Sequence, residues 1–425
     1  MEKLYQYLWK SKMFGKTLKD ADGACIEVVD PGTLNTNAGP DFFNSKIKIN
    51  GIEWAGNIEI HVRASDWHRH HHDNDPAYDS IILHVVSISD MRIYRPDGSL
   101  IPQVEITLPE DFFKIYVALT EAGDEVKCAS SLSKLPPINR VDWLESLSIE
   151  RIQAKAQKVK DLLSLTGNDW EQTCFVIIAR ALGFGLNGDP FEMLARSIPL
   201  RILHHHSDNP HQIQAIFFGQ AAMLDSSLHI FDEYYQLLCR EYYFLARKYE
   251  LRPMRPGLWK YARTRPQNFP HRRIAFLAKA CEGGFSLFSR IISNSRNVDQ
   301  LRELFAWQLS GYWHTRFSFD TEGRSISDTL SQASITLLII NAVAPLVYAY
   351  GSSRGDLDLA ERALDILAAL PAENNTIIRS WQQIGIPADN ALRSQALIHL
   401  RKEYCLTRKC LSCRWGHSLM RTTIG

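Results

Sequence analysis

With 425 residues the chain is too long for one ordinary core, so two or more folding units are expected. An apolar share of 45% against 22% charged residues is that of a globular protein and excludes a disordered or fibrous chain. A formal net charge of +1 gives the molecule as a whole no attraction for nucleic acid, so any such surface has to be local.

Near Met1 there is no apolar segment of signal-peptide type, so a cytoplasmic location is expected. Eight cysteines, most of them far apart, do not make a disulfide scaffold and suit a reducing compartment. Leu4, Tyr5, Leu8 and Trp9 recur at helical intervals, which predicts a short amphipathic helix over 2–13. A strand is expected over 24–29. The turn-rich run from Pro31 to Pro40 then delivers Asp41 to the start of a strand over 42–49, where Ile47 and Ile49 alternate with Lys46 and Lys48. Asn50-Gly51 is a hairpin turn into a strand over 52–62. The apolar, β-branched run 80–88 reads as a central strand, followed by strands over 91–94 and 104–108 around an Asp97-Gly98 turn.

Past the Pro136-Pro137 step the period becomes helical, with helices expected over 143–165, 170–182, 212–224, 230–249, 272–280, 301–308, 326–343, 357–369 and 390–404. The division is therefore a mixed α/β domain over 1–140 and a helical domain over 141–425 with a cysteine-containing tail. The fold class is α+β, a mixed-sheet domain followed by a large all-helical region. The apolar run 335–350 contains Asn341 and Pro345 and falls short of the ~20 residues that span a bilayer, so a buried helix and no membrane association are expected.

Chemistry is densest between Asp41 and His84. On a strand through 57–62 the side chains of Glu59 and His61 share a face, with Ile58, Ile60 and Val62 on the other. Asp41, entering from a neighbouring strand, brings a second carboxylate. Two carboxylates and the Ile60 carbonyl are hard oxygen ligands suited to Mg²⁺ or Mn²⁺, and His61 is placed to orient or deprotonate water. The alternative uses the imidazoles themselves as ligands to a Zn²⁺-like ion. Asp66, His70, Asp73, Asp75, Tyr78 and His84 are accessory candidates, the run Ser65 to Asp75 holding more histidines than one metal uses. The bland reading has the acids capping turns, the histidines in core hydrogen bonds and Trp67 anchoring a loop.

The segments Asn35-Thr36-Asn37-Ala38-Gly39-Pro40-Asp41-Phe42, Trp54-Ala55-Gly56-Asn57-Ile58-Glu59-Ile60-His61, Ser65-Asp66-Trp67 with His68 through Asp75, Pro76-Ala77-Tyr78 and Leu83-His84-Val85-Val86 together resemble the bacterial family catalogued as domain of unknown function 2851. The likeness extends through Arg265-Pro266-Gln267-Asn268-Phe269-Pro270 with Arg273 and into the tail at Tyr404-Cys405 and Cys410-Leu411-Ser412-Cys413. Pro40-Asp41 followed by Asn57-Ile58-Glu59-Ile60-His61 also resembles the core of the PD-(D/E)XK nuclease superfamily: an acid, a later acid on a strand, and usually a lysine two positions on. That resemblance implies a restriction-endonuclease-like domain in which Asp41 and Glu59 bind the cation and His61 stands where lysine is usual. The function expected is a divalent-metal-dependent nucleic-acid phosphodiesterase. The alternatives are a non-catalytic binding protein with a structural or vestigial metal site, and another metallohydrolase.

Between 251 and 273 lie Arg252, Arg255, Lys260, Arg263, Arg265, Arg272 and Arg273 without an acidic residue, a candidate nucleic-acid surface in which Arg263, Arg265, Arg272 and Arg273 are the phosphate-binding candidates. Cys405, Cys410, Cys413 and His417 form a candidate structural Zn²⁺ site that would clip the tail.

Overall fold

The sheet of the first unit is built on a hairpin that the sequence marks clearly. Asn50 (φ 47°) and Gly51 (φ 85°) both take the left-handed conformation that a tight two-residue turn requires, joining β-strands Phe42–Ile49 and Ile52–Arg63. In this computed structural model the described residues are 1–14, 18–120, 126–225, 230, 232–262, 264, 268–309, 311–319, 321–322 and 327–422. They fall into two compact units, Met1–Trp143 with Lys402–Gly425, and Leu144–Arg401. The tail, grouped by sequence with the helical region, therefore has its contacts with the sheet unit.

The first unit opens with helix α1 (Glu2–Lys10), followed by strands β1 (Leu18–Lys19), β2 (Cys25–Asp30), β3 (Thr33–Leu34), β4 (Phe42–Ile49) and β5 (Ile52–Arg63). A short helix α2 (Asp66–Arg69) and two 3₁₀ turns cross over to β6 (Ile81–Ile88), and β7 (Gln103–Glu105) and helix α3 (Glu110–Thr120) follow. The order across the sheet is β1-β2-β4-β5-β6-β7, with β3 paired to β4. The pairs up to β5 are antiparallel, whereas β6 runs parallel to both β5 and β7. An Asp20–Val104 bridge joins the two ends, so the sheet nearly closes into a barrel. Leu4, Tyr5, Leu8 and Trp9 of α1 pack with Ile26, Phe42, Ile47, Ile58, Ile60, Leu83 and Val85 in one core, which also takes Met420 from the tail helix Arg414–Arg421.

Two features depart from the sequence reading. Residues 91–94 make no strand; a single Tyr94–Leu100 bridge stands there, because the Asp97-Gly98 turn closes too short a loop for a ladder. In β4 the register slips by one residue between Phe42 and Ser45, with Asn44 left-handed at φ 58°, a β-bulge. The bulge reverses side-chain parity, so Phe42 and Ile47 share the core face although they are an odd number of positions apart.

The second unit is predominantly helical, with the small hairpin Arg316–Ser318/Thr321–Glu322 as an exception. Helices Trp170–Leu182 and Leu357–Ala369 have the expected bounds, each started by an Asp side chain that accepts an amide N–H of the first turn. The apolar run continues past Pro345 to Arg354 rather than stopping near 343. A π-turn, Ile339–Val343, precedes the proline and absorbs the hydrogen bond that proline cannot donate. Gln332–Arg354 is, among the described residues, the one helix long and apolar enough to cross a membrane, and most of it is buried within this unit.

Candidate metal centre

The face of the sheet opposite the core carries the chemistry. Glu59 pairs across β5 and β6 with His84, and His84 pairs across to Gln103 of β7, so these three form a row on one face with His61 beside them. Asp41 reaches the same face because of the bulge. With Phe42 turned into the core, its predecessor turns out; Asp41 N–H donates to Glu59 Oε2 (3.0 Å) and Asp41 Oδ2 accepts the Ile60 N–H (3.2 Å). What joins Ile60 to the site is thus its amide, while its side chain lies in the core.

The crossover folds over this face. His71 is left-handed (φ 62°), and on either side of it the exposed His70 and the half-buried His72 each bring a ring nitrogen towards His61. The donor atoms of His61, His70 and His72 all lie within 4.8 Å of one another, a compact group able to coordinate a metal ion. Glu59 Oε1 stands 3.5 Å from His61 Nε2 and 3.4 Å from His72 Nε2. His72 Nε2 is buried without a hydrogen bond, while its ring stacks on Tyr78 with centroids 3.8 Å apart. A buried nitrogen lone pair or N–H left without a partner is costly unless something else is meant to fill the position.

The hydrogen bonds determine which nitrogens have lone pairs. Gln103 Nε2 donates to the Met91 carbonyl (3.1 Å) and Ser89 Oγ (2.6 Å); a carbonyl can only accept, so Gln103 Oε1 must face His84 Nδ1 at 3.2 Å. Its Nδ1–H spent there, neutral His84 presents Nε2 as acceptor to His61 Nδ1–H at 2.9 Å. His61 is therefore left with its Nε2 lone pair directed at His70, His72 and Glu59, the tautomer a metal needs. Burial, then the neighbouring His84, His72 and His70, push the His61 pKa down to about 2, and burial holds His84 near 4, so both rings are neutral at physiological pH. Burial first, then Glu59 and Glu2, raise the Asp41 carboxyl to about 8.

The accessory candidates divide. His70 and His84 belong to the cluster, and Tyr78 floors it with a hydroxyl whose ionisation burial and Glu59 suppress. The other acids serve local structure: Asp66 accepts the Arg63 N–H (3.1 Å) and pairs with Arg69 (2.9 Å), Asp73 pairs with His68 (2.8 Å), and Asp75 accepts the Ala77 N–H (3.0 Å). Sequence reasoning missed His72, Gln103 and two residues of α1. Gln6 Nε2 donates to Asp41 Oδ1 (2.8 Å), and the half-buried Glu2, its carboxyl raised by burial, lies within electrostatic range of His70, Glu59 and Asp66. Their separation of four positions on one helix face was the available signal.

Elsewhere the phosphate-binding candidates give way. Arg272 and Arg273 are buried in helix Pro270–Lys279. Arg272 donates to the carbonyls of Trp313, Ser327 and Arg316, and Arg273 bonds Asn268 and lies over the Phe184 ring. Arg263 and Arg265 lie outside the described residues, and Arg252, Arg255 and Lys260 are exposed. Several surface arginines are held in ion pairs, as Arg180 is with Asp189 (2.7 Å) and Glu192 (2.6 Å). The tail set is not assembled as expected either: His417 Nδ1 bonds the Tyr7 hydroxyl at 2.9 Å, and no disulfide joins any described cysteines.

The family described as Protein of unknown function (DUF2851) matches residues 2–376. The chain belongs to that family. Neither the curated proteins nor the solved structures compared with it gave a match. The match takes in the whole candidate centre of this DUF2851 protein and ends before the tail cysteines.

Proposed function

We propose that the DUF2851 chain is a divalent-metal-dependent phosphodiesterase acting on nucleic acid, with Glu59, His61, His70 and His72 holding the ion and Asp41 at its edge. The observation that carries this is the His61 tautomer. The relay from Gln103 through His84 aims the His61 lone pair at two further imidazoles and a carboxylate, the outer-shell arrangement that orients metal-binding histidines. Imidazole-rich ligation suits Zn²⁺ or a similar transition ion better than Mg²⁺ or Mn²⁺, which favour oxygen ligands.

A bound divalent cation supplies Lewis acidity, polarising a phosphoryl oxygen and lowering the pKa of water. Glu59 and Asp41 would offset its charge, and the Asp41 carboxylate would be the group placed to accept a proton from water. A buried ring with a pKa near 2 is a poor base, so we assign His61 to holding the ion rather than to deprotonating water. The likeness of Asp41 and Glu59 to the PD-(D/E)XK pattern supports phosphodiesters as the substrate class, with histidine in place of the customary lysine.

The test combines metal analysis with a cleavage screen of single- and double-stranded DNA and RNA against Mg²⁺, Mn²⁺ and Zn²⁺. Cleavage is expected with a transition ion and is expected to fall at least ~100-fold in folded Glu59→Gln and His72→Ala. Undiminished cleavage by both variants removes this assignment, and stoichiometric metal without cleavage of any of the four substrates reduces it to a binding site.

A further inference from the structure

The tail motif Cys405-x₄-Cys410-x₂-Cys413 lacks a fourth cysteine in its own neighbourhood, and the fold provides one. Cys128 caps the 3₁₀ turn Ala129–Lys134, with Ser131 N–H donating to its carbonyl at 2.9 Å. That turn and α3 both contact the tail helix, and Cys128 and Cys410 pack against the same core. The Cys128 thiol lies within electrostatic range of the thiols of Cys405, Cys410 and Cys413 together.

The tail is folded to bring its three cysteines to one place. Arg408 is left-handed (φ 57°); Arg408 N–H donates to Cys405 O (3.2 Å) and Lys409 N–H to Tyr404 O (2.8 Å), which reverses the chain. Cys413 N–H then donates to Cys410 O (3.2 Å), and Cys413 stands at the start of the tail helix. A Cβ on Gly416 would meet the Cys410 carbonyl oxygen at 2.1 Å, so only glycine lets the helix sit this close on the cysteine turn. The amides of Trp415 and Gly416 and the buried indole N–H of Trp143 lie near the Cys413 sulfur, though none makes a conventional hydrogen bond to it. N–H groups gathered near a sulfur favour its thiolate, the form that binds metal.

We propose that Cys128, Cys405, Cys410 and Cys413 ligate an iron–sulfur cluster that fastens the tail to the sheet unit. Four cysteines are the complement that such clusters use, and a Cys-x₄-Cys-x₂-Cys run with a further cysteine distant in sequence is one of the spacings in which they occur. The site is separate from the histidine centre and stands whether or not that centre is catalytic.

Full-length protein purified without oxygen, or reconstituted with iron and sulfide, is expected to be brown and to carry about two or four iron with an equal amount of sulfide per chain. Reduction should bleach the visible band and produce a paramagnetic signal. Cys128→Ser is expected to lose at least ~5-fold in bound iron, with the far-ultraviolet circular dichroism of the parent, whereas Cys239→Ser keeps the full complement. Should Cys128→Ser not fold, Cys405→Ser at a less buried ligand carries the same test. Iron below ~0.5 per chain after reconstitution, iron unchanged in the Cys128 or Cys405 variant, or stoichiometric zinc in place of iron would each overturn the proposal.

Discussion

Asp41 is an acid held among acids, and the cost of ionising it in the fold can be measured. Its pKa is about 8 in the fold against the ordinary 3.8, so the folded state binds the proton more tightly than the unfolded chain. The stability this contributes is fully present below about pH 4 and is lost as pH rises through about 8. Metal-free protein should therefore melt progressively lower across that window. Asp41→Asn should flatten the slope and melt higher at pH 8, by about 2–4 °C for each kcal/mol relieved. A divalent cation should raise the melting temperature of the parent more than that of the variant. Equal slopes for both proteins in a pH series of thermal scans would show that Asp41 does not carry this charge. The relay is tested at the same scale. Gln103→Leu leaves His84 without its acceptor and frees the His61 tautomer, so metal affinity by calorimetry should weaken about 10–100-fold although Gln103 touches no metal. An unchanged affinity would show that the relay does not orient His61.

At the scale of elements, the bulge in β4 decides whether the two acids meet. Without the extra residue at Asn44 the strand would keep strict alternation, and Asp41 would share the core face with Ile47. Deleting Asn44 should therefore force either a buried charge or a slipped register. Metal binding should be abolished and the sheet destabilised by about 2–4 kcal/mol, read by denaturant unfolding. Full metal affinity in the deletion variant would mean that Asp41 reaches the site by another route. The opening helix and the hairpin were legible because each depends on local pattern alone: apolar residues at helical spacing, and an Asn-Gly pair that tolerates positive φ. The strand expected at 91–94 was not formed, since β-propensity says nothing about whether a partner edge is available.

At the scale of the whole molecule, the first unit is discontinuous in sequence, and its core is completed by the tail. A chain ending at Arg401 loses Met420 from that core together with Cys410 and Leu411, which pack against it. Hydrogen exchange should then show lost protection across β2 and β4, while amides of Trp170–Leu182 in the second unit keep theirs. Sheet amides protected as in the full chain would show that the tail is dispensable to the fold.

The sequence by itself determined that a sheet domain precedes a helical one, that Glu59 and His61 share a face, and that a turn-rich loop delivers Asp41. Each follows from a period or a turn signal within a few residues. Only the tertiary structure decided that Asp41 joins that face, that His72 rather than Asp66, Asp73 or Asp75 joins the histidine cluster, that Arg272 and Arg273 are interior, and that Cys128 packs against the same core as Cys410. These depend on a bulge that reverses parity, on a left-handed residue that turns a loop inward, and on contacts between segments hundreds of positions apart. Local pattern carries no information on any of the three, because the free energy that selects them comes from packing and hydrogen bonding between elements rather than within them.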